Sequence, residues 1–231
     1  MTELKLTNNC EKCTAGWKNF RHLTKNEIEM LNSSRYEAAF RPGEVMVKQG
    51  TPSSNALFMA TGFAKSYIEG NNSKNLLLEI EKPGNLILSP GAFANSRHNF
   101  SVAAITAVQS CFVNTDIIRE FARSNSAFAE SLLTEYCIKS VRMNDRMLSM
   151  AQKRMSGRLA DIHIYLSDEI YGSDEFAMIL TRQELGEMTG MAKECVVRIL
   201  REFEDSGVID SDSSHVKILN RVKLHQISDK G

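Results

Sequence analysis

Residues 186–209 read GEMTGMAKECVVRILREFEDSGVI, and they hold the side chains best suited to chemistry at a surface. Val196, Ile199, Leu200 and Phe203 recur at helical spacing and predict one buried face. The other face carries Lys193, Glu194, Val197, Arg198 and Arg201. A guanidinium can donate bidentately to guanine and a carboxylate can accept from cytosine N4, so this set suits a DNA groove. A solvated face, with Glu194 and Arg198 as an i,i+4 ion pair, fits the same residues. A second chemical feature is the C-x-x-C of Cys10 and Cys13, a redox-active or zinc-binding arrangement in other settings. The five cysteines are an odd number, and the polar N-terminus MTELKLTNNCEKC has no signal-peptide core. A disulfide scaffold is therefore not expected.

Composition narrows the class. The 231 residues carry 28 Lys+Arg against 28 Asp+Glu, for a net charge of zero. Bulk charge thus counts against nucleic-acid binding, and any such contact must depend on where the cations sit. No stretch approaches the roughly 18 apolar residues of a membrane span, so no membrane is expected and a cytoplasmic protein is. No H-E-x-x-H, phosphate-cradling glycine loop, nucleophile elbow or carboxylate pair points to an enzyme.

The elements that must position these residues follow from turn signals and periodicity. From about Leu23 to Asn114, Pro-Gly, Gln-Gly, Thr-Gly and Gly-Asn-Asn recur about every ten residues between β-favouring runs such as EVMVK, ALFMA and NLLLEI. That spacing predicts an antiparallel barrel or sandwich. Thr115 is the candidate cap of a short helix, and a long helix is predicted from Ala127 to Gln152. The long helix carries two apolar stripes. Leu132, Tyr136, Met143, Met147 and Met150 form one; Leu133, Cys137, Val141, Leu148 and Met155 form the other. Two stripes imply burial on two sides, against the barrel and a second subunit or wholly within one chain. MSGRLADIHIYLSDEIYG predicts another amphipathic helix and DEFAMIL a strand. TRQELGEMTG predicts a helix opened by a Thr181–Glu184 capping box. GVIDSDSSHVKILN predicts a hairpin. Helix, tight turn, helix and hairpin in that order make a winged helix-turn-helix.

At TRQELGEMTGMAKECVVRILREFEDSGVI the sequence resembles the DNA-binding segment of the Crp/Fnr family of bacterial transcription regulators. The resemblance runs over nearly the whole chain, with Gly43-Glu44, Gly50 and Gly62 in the strand-rich half. It implies an α+β chain: an N-terminal segment (1–22), an antiparallel β jelly-roll barrel of the effector type (23–126), a long dimerisation helix (127–153) and a C-terminal winged helix-turn-helix (154–231). It also implies a homodimer on double-stranded DNA with a two-fold symmetric operator, acting with RNA polymerase. The family's reading positions fall on Lys193, Glu194, Val197 and Arg198. Val197 cannot donate a hydrogen bond, but its methyls can lie against a thymine methyl. Ala192 departs from the family, which opens this helix with Ser or Thr, and an alanine cap forfeits about 1 kcal/mol. Arg182 and Lys217 are further cations for phosphate contact or for the solvated surface. The alternative, a cyclic-nucleotide-binding-type sensory module acting through protein partners, would leave the winged segment without a task.

The resemblance also raises the question of the signal. Family members that bind a cyclic nucleotide pair a Gly-Glu with an Arg-Ser or Arg-Thr about ten residues later. Here Gly84 is followed by Asn85, Arg97 is out of register, and Ser101-Val102 stands in the Arg-Ser position. That degenerate pocket does not suit a cyclic phosphate, which needs a placed guanidinium. The oxygen-sensing branch binds an iron–sulfur cluster through three N-terminal cysteines and a distant one. Cys10, Cys13 and Cys111 match three of those positions and Asn19 occupies the fourth, with His22 nearby. Three readings stay open for the thiols: an iron–sulfur cluster, a redox-active or zinc-binding set, and no ligand role, with Cys111 a small core residue. His22, His98 and methionines are the only haem candidates, and no spacing supports them. Cys137 and Cys195 read as packing residues, and His163, His215 and His225 have no evident partners.

Overall fold

A helix, not a strand, follows Leu23. The computed structural model describes residues 10, 17–71, 74–212 and 214–230, and in it α1 (Lys25–Ser34) occupies the start of the stretch that turn spacing assigns to strands. The Thr24 hydroxyl accepts from the Glu27 amide and the Glu27 carboxylate takes the Thr24 amide. This reciprocal cap satisfies two donors that the helix itself leaves orphaned.

Strands β1 (Tyr36–Phe40), β2 (Val45–Val47), β3 (Asn55–Thr61), β4 (Ala64–Glu69), β5 (Asn75–Glu81), β6 (Leu86–Ile87), β7 (Ser101–Ala104) and β8 (Val108–Asn114) form two four-stranded sheets. Their orders are β1-β8-β3-β6 and β2-β7-β4-β5. Short α2 (Gly91–Ala94) lies between β6 and β7. Gly62, at φ +78°, makes the β3–β4 turn, where a Cβ would stand 2.2 Å from the Ala107 carbonyl oxygen. Met46, Leu57, Met59, Val102 and Phe112 are among the side chains that fill one buried cluster of the barrel. Cys111, Phe58 and Val113 belong to another, which also takes in Trp17, Phe121, Phe128 and Leu132.

Asn114, one residue before the expected Thr115, caps α3 (Thr115–Ser124) by accepting from the Asp116 amide. The Thr115 hydroxyl instead donates to the Ser53 carbonyl at 3.0 Å. Then comes α4 (Ser126–Gln152), close to its predicted span. Its two stripes do not divide as predicted. Leu132 is buried and Tyr136 half-buried, but Met143 and Met147 of the same stripe are exposed. Leu133, Cys137, Val141 and Leu148 are exposed with them, so the long helix has one packed face and one uncovered apolar face. Met155 lies beyond its end, in α5 (Met155–Tyr165).

Contacts group the described residues within 1–69 and 79–139 into one compact unit, and those within 70–78 and 140–231 into another. The second unit holds α5, which runs on as a π-helical turn (Leu166–Tyr171), then β9 (Glu175–Ala177), α6 (Arg182–Thr189), α7 (Lys193–Asp205), β10 (Ile209–Ser211), β11 (His215–Ile218) and α8 (Arg221–Lys230). The hairpin β10–β11 is joined by β9 into a three-stranded sheet ordered β10-β11-β9. Helix α8 is an addition to the sequence expectation; Leu224 buries its inner face.

Candidate nucleic-acid interface

Helices α6 and α7 meet across a short turn. The Thr181–Glu184 capping box starts α6 as predicted, the hydroxyl accepting from the Glu184 amide at 3.2 Å. Gly190, at φ +68°, ends the helix in the left-handed region that favours glycine. The Met191 amide then donates to the Gly186 carbonyl at 2.9 Å, closing the turn. Gly186 is required there, because a Cβ would lie 2.6 Å from the Met191 carbonyl oxygen. Ala192 caps α7 without any side-chain hydrogen bond, as its composition requires.

Val196, Ile199, Leu200 and Phe203 are all buried and fix α7 in the unit. On its other side Lys193, Glu194, Arg198 and Arg201 are exposed, with Val197 half-buried among them. The structure therefore brings the predicted set onto one accessible face. Arg198 pairs with Glu202 at 2.5 Å, not with Glu194 as the spacing first suggests. Both partners are more than half exposed, so water screens the pair and a nucleic acid can displace it at little cost.

The wing and the first helix supply the flanking cations. Arg182 donates from Nη2 to the Asp212 carbonyl at 2.9 Å, which ties the start of α6 to the hairpin turn. The Asp212 carboxylate organises that turn by accepting from the Ser214 and His215 amides. Those bonds, the Ser214 amide first, hold its carboxyl below the usual range. Lys217 lies on β11 with Nζ 2.9 Å from Glu175 on β9. That hydrogen bond raises the lysine and lowers the glutamate, so both are charged. Arg182 and Lys217 thus each have a partner within the protein, and Lys217 stays half exposed.

His163 sits behind α7, fully buried, with its ring edge-on to Phe203 at a centroid distance of 6.3 Å. Nδ1 lies 2.8 Å from the Leu159 carbonyl oxygen, and Nε2 has no hydrogen-bond partner among the described residues. Burial pushes its pKa down, against the Leu159 bond. The imidazole is therefore held neutral.

The five candidate pocket residues each engage different partners. Gly84, at φ +90°, makes a turn whose amide donates to the Met59 carbonyl. The Asn85 amide group donates to Glu81 at 3.0 Å. Arg97 donates to the Gly50 carbonyl at 2.7 Å. Ser101 and Val102 are buried on β7, and the Ser101 hydroxyl donates to the Glu69 carboxylate. Lys48 and Ser101 hold that carboxylate's pKa down. Glu69 is also paired with Lys48 at 2.6 Å, so the Ser101 hydroxyl is engaged within the barrel.

Of the candidate thiols, Cys13 lies outside the described residues. Cys111 is buried on β8 and accepts from Arg35 Nη1 at 3.2 Å. Cys10 is half-buried on the same apolar cluster, and its amide donates to Asn32 at 2.9 Å. Asn19 is buried and donates to Glu135, and His22 Nε2 accepts from Arg21. Among the described residues no group of three or more His, Cys, Asp or Glu side chains is placed to hold a metal ion.

Two polar features have no counterpart in the sequence reading. Glu81 is 1% exposed and accepts from Ser66 at 2.7 Å and from Asn85. Burial opposes the charge on nearby Lys139, but Glu81, Glu79 and Glu135 together raise its pKa and keep it protonated. The second is Arg146 on α4, whose guanidinium donates to three backbone carbonyls. Neither could be found from spacing, since every partner of Glu81 and Arg146 lies on another element or turn.

Comparison with known proteins matches two families in sequence order. Residues 37–125 match the cyclic nucleotide-binding domain, and residues 153–227 match the Crp-like helix-turn-helix domain. Electron transport regulator A of Shewanella oneidensis is 21% identical over 211 residues, 89% of this chain and 84% of that protein. The transcriptional activator protein anr of Pseudomonas aeruginosa is 20% identical over 189 residues, 80% of this chain and 77% of its own. Among solved structures, FixK2 from Bradyrhizobium japonicum shares the fold with a TM-score of 0.77 at 20% identity, over 84% of this chain and 96% of that one.

Proposed function

The chain belongs to the Crp/Fnr family of bacterial transcription regulators, and from that premise we propose that it reads DNA through the exposed face of α7. It is a sequence-specific DNA-binding regulator. In this reading Arg198 and Glu194 contact base edges, Val197 packs on a thymine methyl, and Lys193 and Arg201 contact bases or phosphates. Arg182 and Lys217 hold the wing turn and β9 in place and lie ready to exchange carboxylate and carbonyl partners for phosphate. The observation that carries this reading is the division of α7: four buried apolar residues lock it, and the charged side chains opposite them are free to face a groove.

The same reading makes the protein a homodimer on a two-fold symmetric operator, with RNA polymerase as its partner at promoters. The uncovered apolar face of α4 supports the dimer: Leu133 is 64% exposed, Val141 59% and Leu148 55%. Fully covering one such side chain contributes about 1.5–3 kcal/mol. Among the described residues no helix is long and apolar enough to cross a membrane. The signal is sensed in the N-terminal domain. The Glu69–Ser101 contact disfavours a cyclic phosphate at the position expected for it.

A mobility-shift titration with promoter fragments tests the proposal. Retardation of particular fragments by the wild-type protein, with Arg198→Ala preferring them less by about 1–3 kcal/mol, is the expected result. Equal binding of every fragment by both proteins would reject α7 as the reading helix.

A further inference from the structure

Arg146 stands on α4, in the half of that helix that belongs to the second unit. Its Nη1 donates to the Leu78 carbonyl, and its Nη2 to the carbonyls of Leu77 and Met188. Leu77 and Leu78 lie in β5, the edge strand of its sheet, which has a neighbouring strand on one side only. Met188 lies in the last turn of α6, where carbonyls have no donor within the helix. The next carbonyl, that of Thr189, accepts from Arg158 Nη1 at 3.1 Å. The end of α6 is thus held by two arginines, and only Arg146 also holds β5. All these residues lie in one compact unit.

The chemistry of the side chain matters here. A guanidinium presents five donors in a rigid planar fork, so one residue can satisfy acceptors on two separate elements. A lysine ammonium at the end of a flexible stem cannot reach all three carbonyls at once. Hydrogen bonds from charged donors are also about twice as strong as neutral ones.

We propose that Arg146 is a positioning residue for operator binding: by fixing the end of α6 and the edge of β5 to α4, it sets the separation of the two reading helices in the dimer. The inference rests on the DNA-reading function above. Helix α4 carries the face assigned to the dimer, and α6 is joined to α7 by the short turn at Gly190. Ser149 and, just past the helix end, Lys153 tie α4 to Asp161 of α5, and Arg142 ties it to Glu169; Arg146 is the tie from α4 that reaches the end of α6 directly. Two-fold related reading helices must match half-sites about one DNA turn apart, so looseness at Arg146 appears as tolerance of wrong spacing.

The test uses full-length protein and a duplex selected by the wild type from a random pool. Affinities are compared for that duplex and for versions with one base pair added or removed between the half-sites. Wild type should prefer the selected spacing by about tenfold or more. Arg146→Gln and Arg146→Lys should bind the selected duplex about tenfold more weakly. Their spacing preference should fall to within about threefold, while the base preference inside each half-site stays. Sedimentation and circular dichroism establish that the variants are folded dimers, and Arg146→Lys decides the matter if Arg146→Gln is not. Retention of the wild-type spacing preference by a folded variant overturns the proposal, whether affinity is unchanged or lowered equally for every duplex. If the wild type enriches no duplex, the DNA reading itself fails and the role of Arg146 falls with it.

Discussion

Replacing Gly186 by alanine opposes two effects whose sizes the structure separates. Within a helix such as α6, glycine to alanine normally stabilises by about 1 kcal/mol, because glycine loses more backbone freedom on folding. Here the new methyl would lie 2.6 Å from the Met191 carbonyl oxygen and 3.7 Å from the Lys193 amide nitrogen. Neither is the far end of a flexible side chain, so relief requires the turn itself to move. The Met191–Gly186 hydrogen bond would be strained with it. Overpacking of this kind costs about 1–3 kcal/mol, with a further ~1 kcal/mol at stake in the bond. The clash therefore wins, and Gly186→Ala should destabilise the helix-turn-helix by about 1–3 kcal/mol net. Native-state hydrogen exchange on peptides from α6 and α7 reads this directly: protection should fall by about tenfold. DNA affinity should fall as well, because the start of α7 is displaced. Equal or greater protection in the variant would show that the turn has room for a side chain, and the argument from close approach would be refuted.

Val141→Glu combined with Leu148→Glu places charge on the uncovered face of α4, and sedimentation should show dimer association weakened, with Kd raised about a hundredfold or more toward monomer. A dimer of unchanged affinity would mean that another face is used. His163 predicts a pH dependence of the winged unit. Its folded pKa is depressed below the ordinary value of about 6.5 by burial, with the Arg182 charge acting in the same direction. The unfolded state thus binds the proton first, so the stability is fully present above pH ~6.5 and is lost as pH falls from there toward the folded pKa. Thermal melts between pH 7.5 and about 5 should show this slope in the wild type and a flatter one in His163→Leu; equal slopes would contradict it.

The sequence makes some of these elements plain and hides others for physical reasons. The apolar spacing of α7 and the Thr181–Glu184 box are local signals, and both elements appear where local reasoning places them. A capping box of the same kind, Thr24–Glu27, starts α1 inside the stretch that turn spacing assigns to strands. The two stripes of α4 are visible in the sequence; which residues face solvent depends on packing of Phe128 and Leu132 against Phe121 and Trp17. Arg198 has glutamates four residues away on both sides, so periodicity alone could not choose Glu202 over Glu194. Arg146 and Glu81 read as ordinary charged residues in sequence. Their roles come from carbonyls and side chains on other elements or turns, and backbone acceptors leave no mark in sequence.

The central claim is that the charged face of α7 reads bases, and base-by-base competition on a selected operator tests it most directly. For wild type, each wrong base pair under the reading helix should cost about 1–3 kcal/mol. For Arg198→Ala, discrimination should collapse by about that amount at one position in each half-site, related by the two-fold axis, and persist elsewhere. Loss of its exposed pair with Glu202 contributes little to the difference. Uniform weakening at every position would make Arg198 a phosphate contact only, and an unchanged profile would place the reading surface somewhere other than α7.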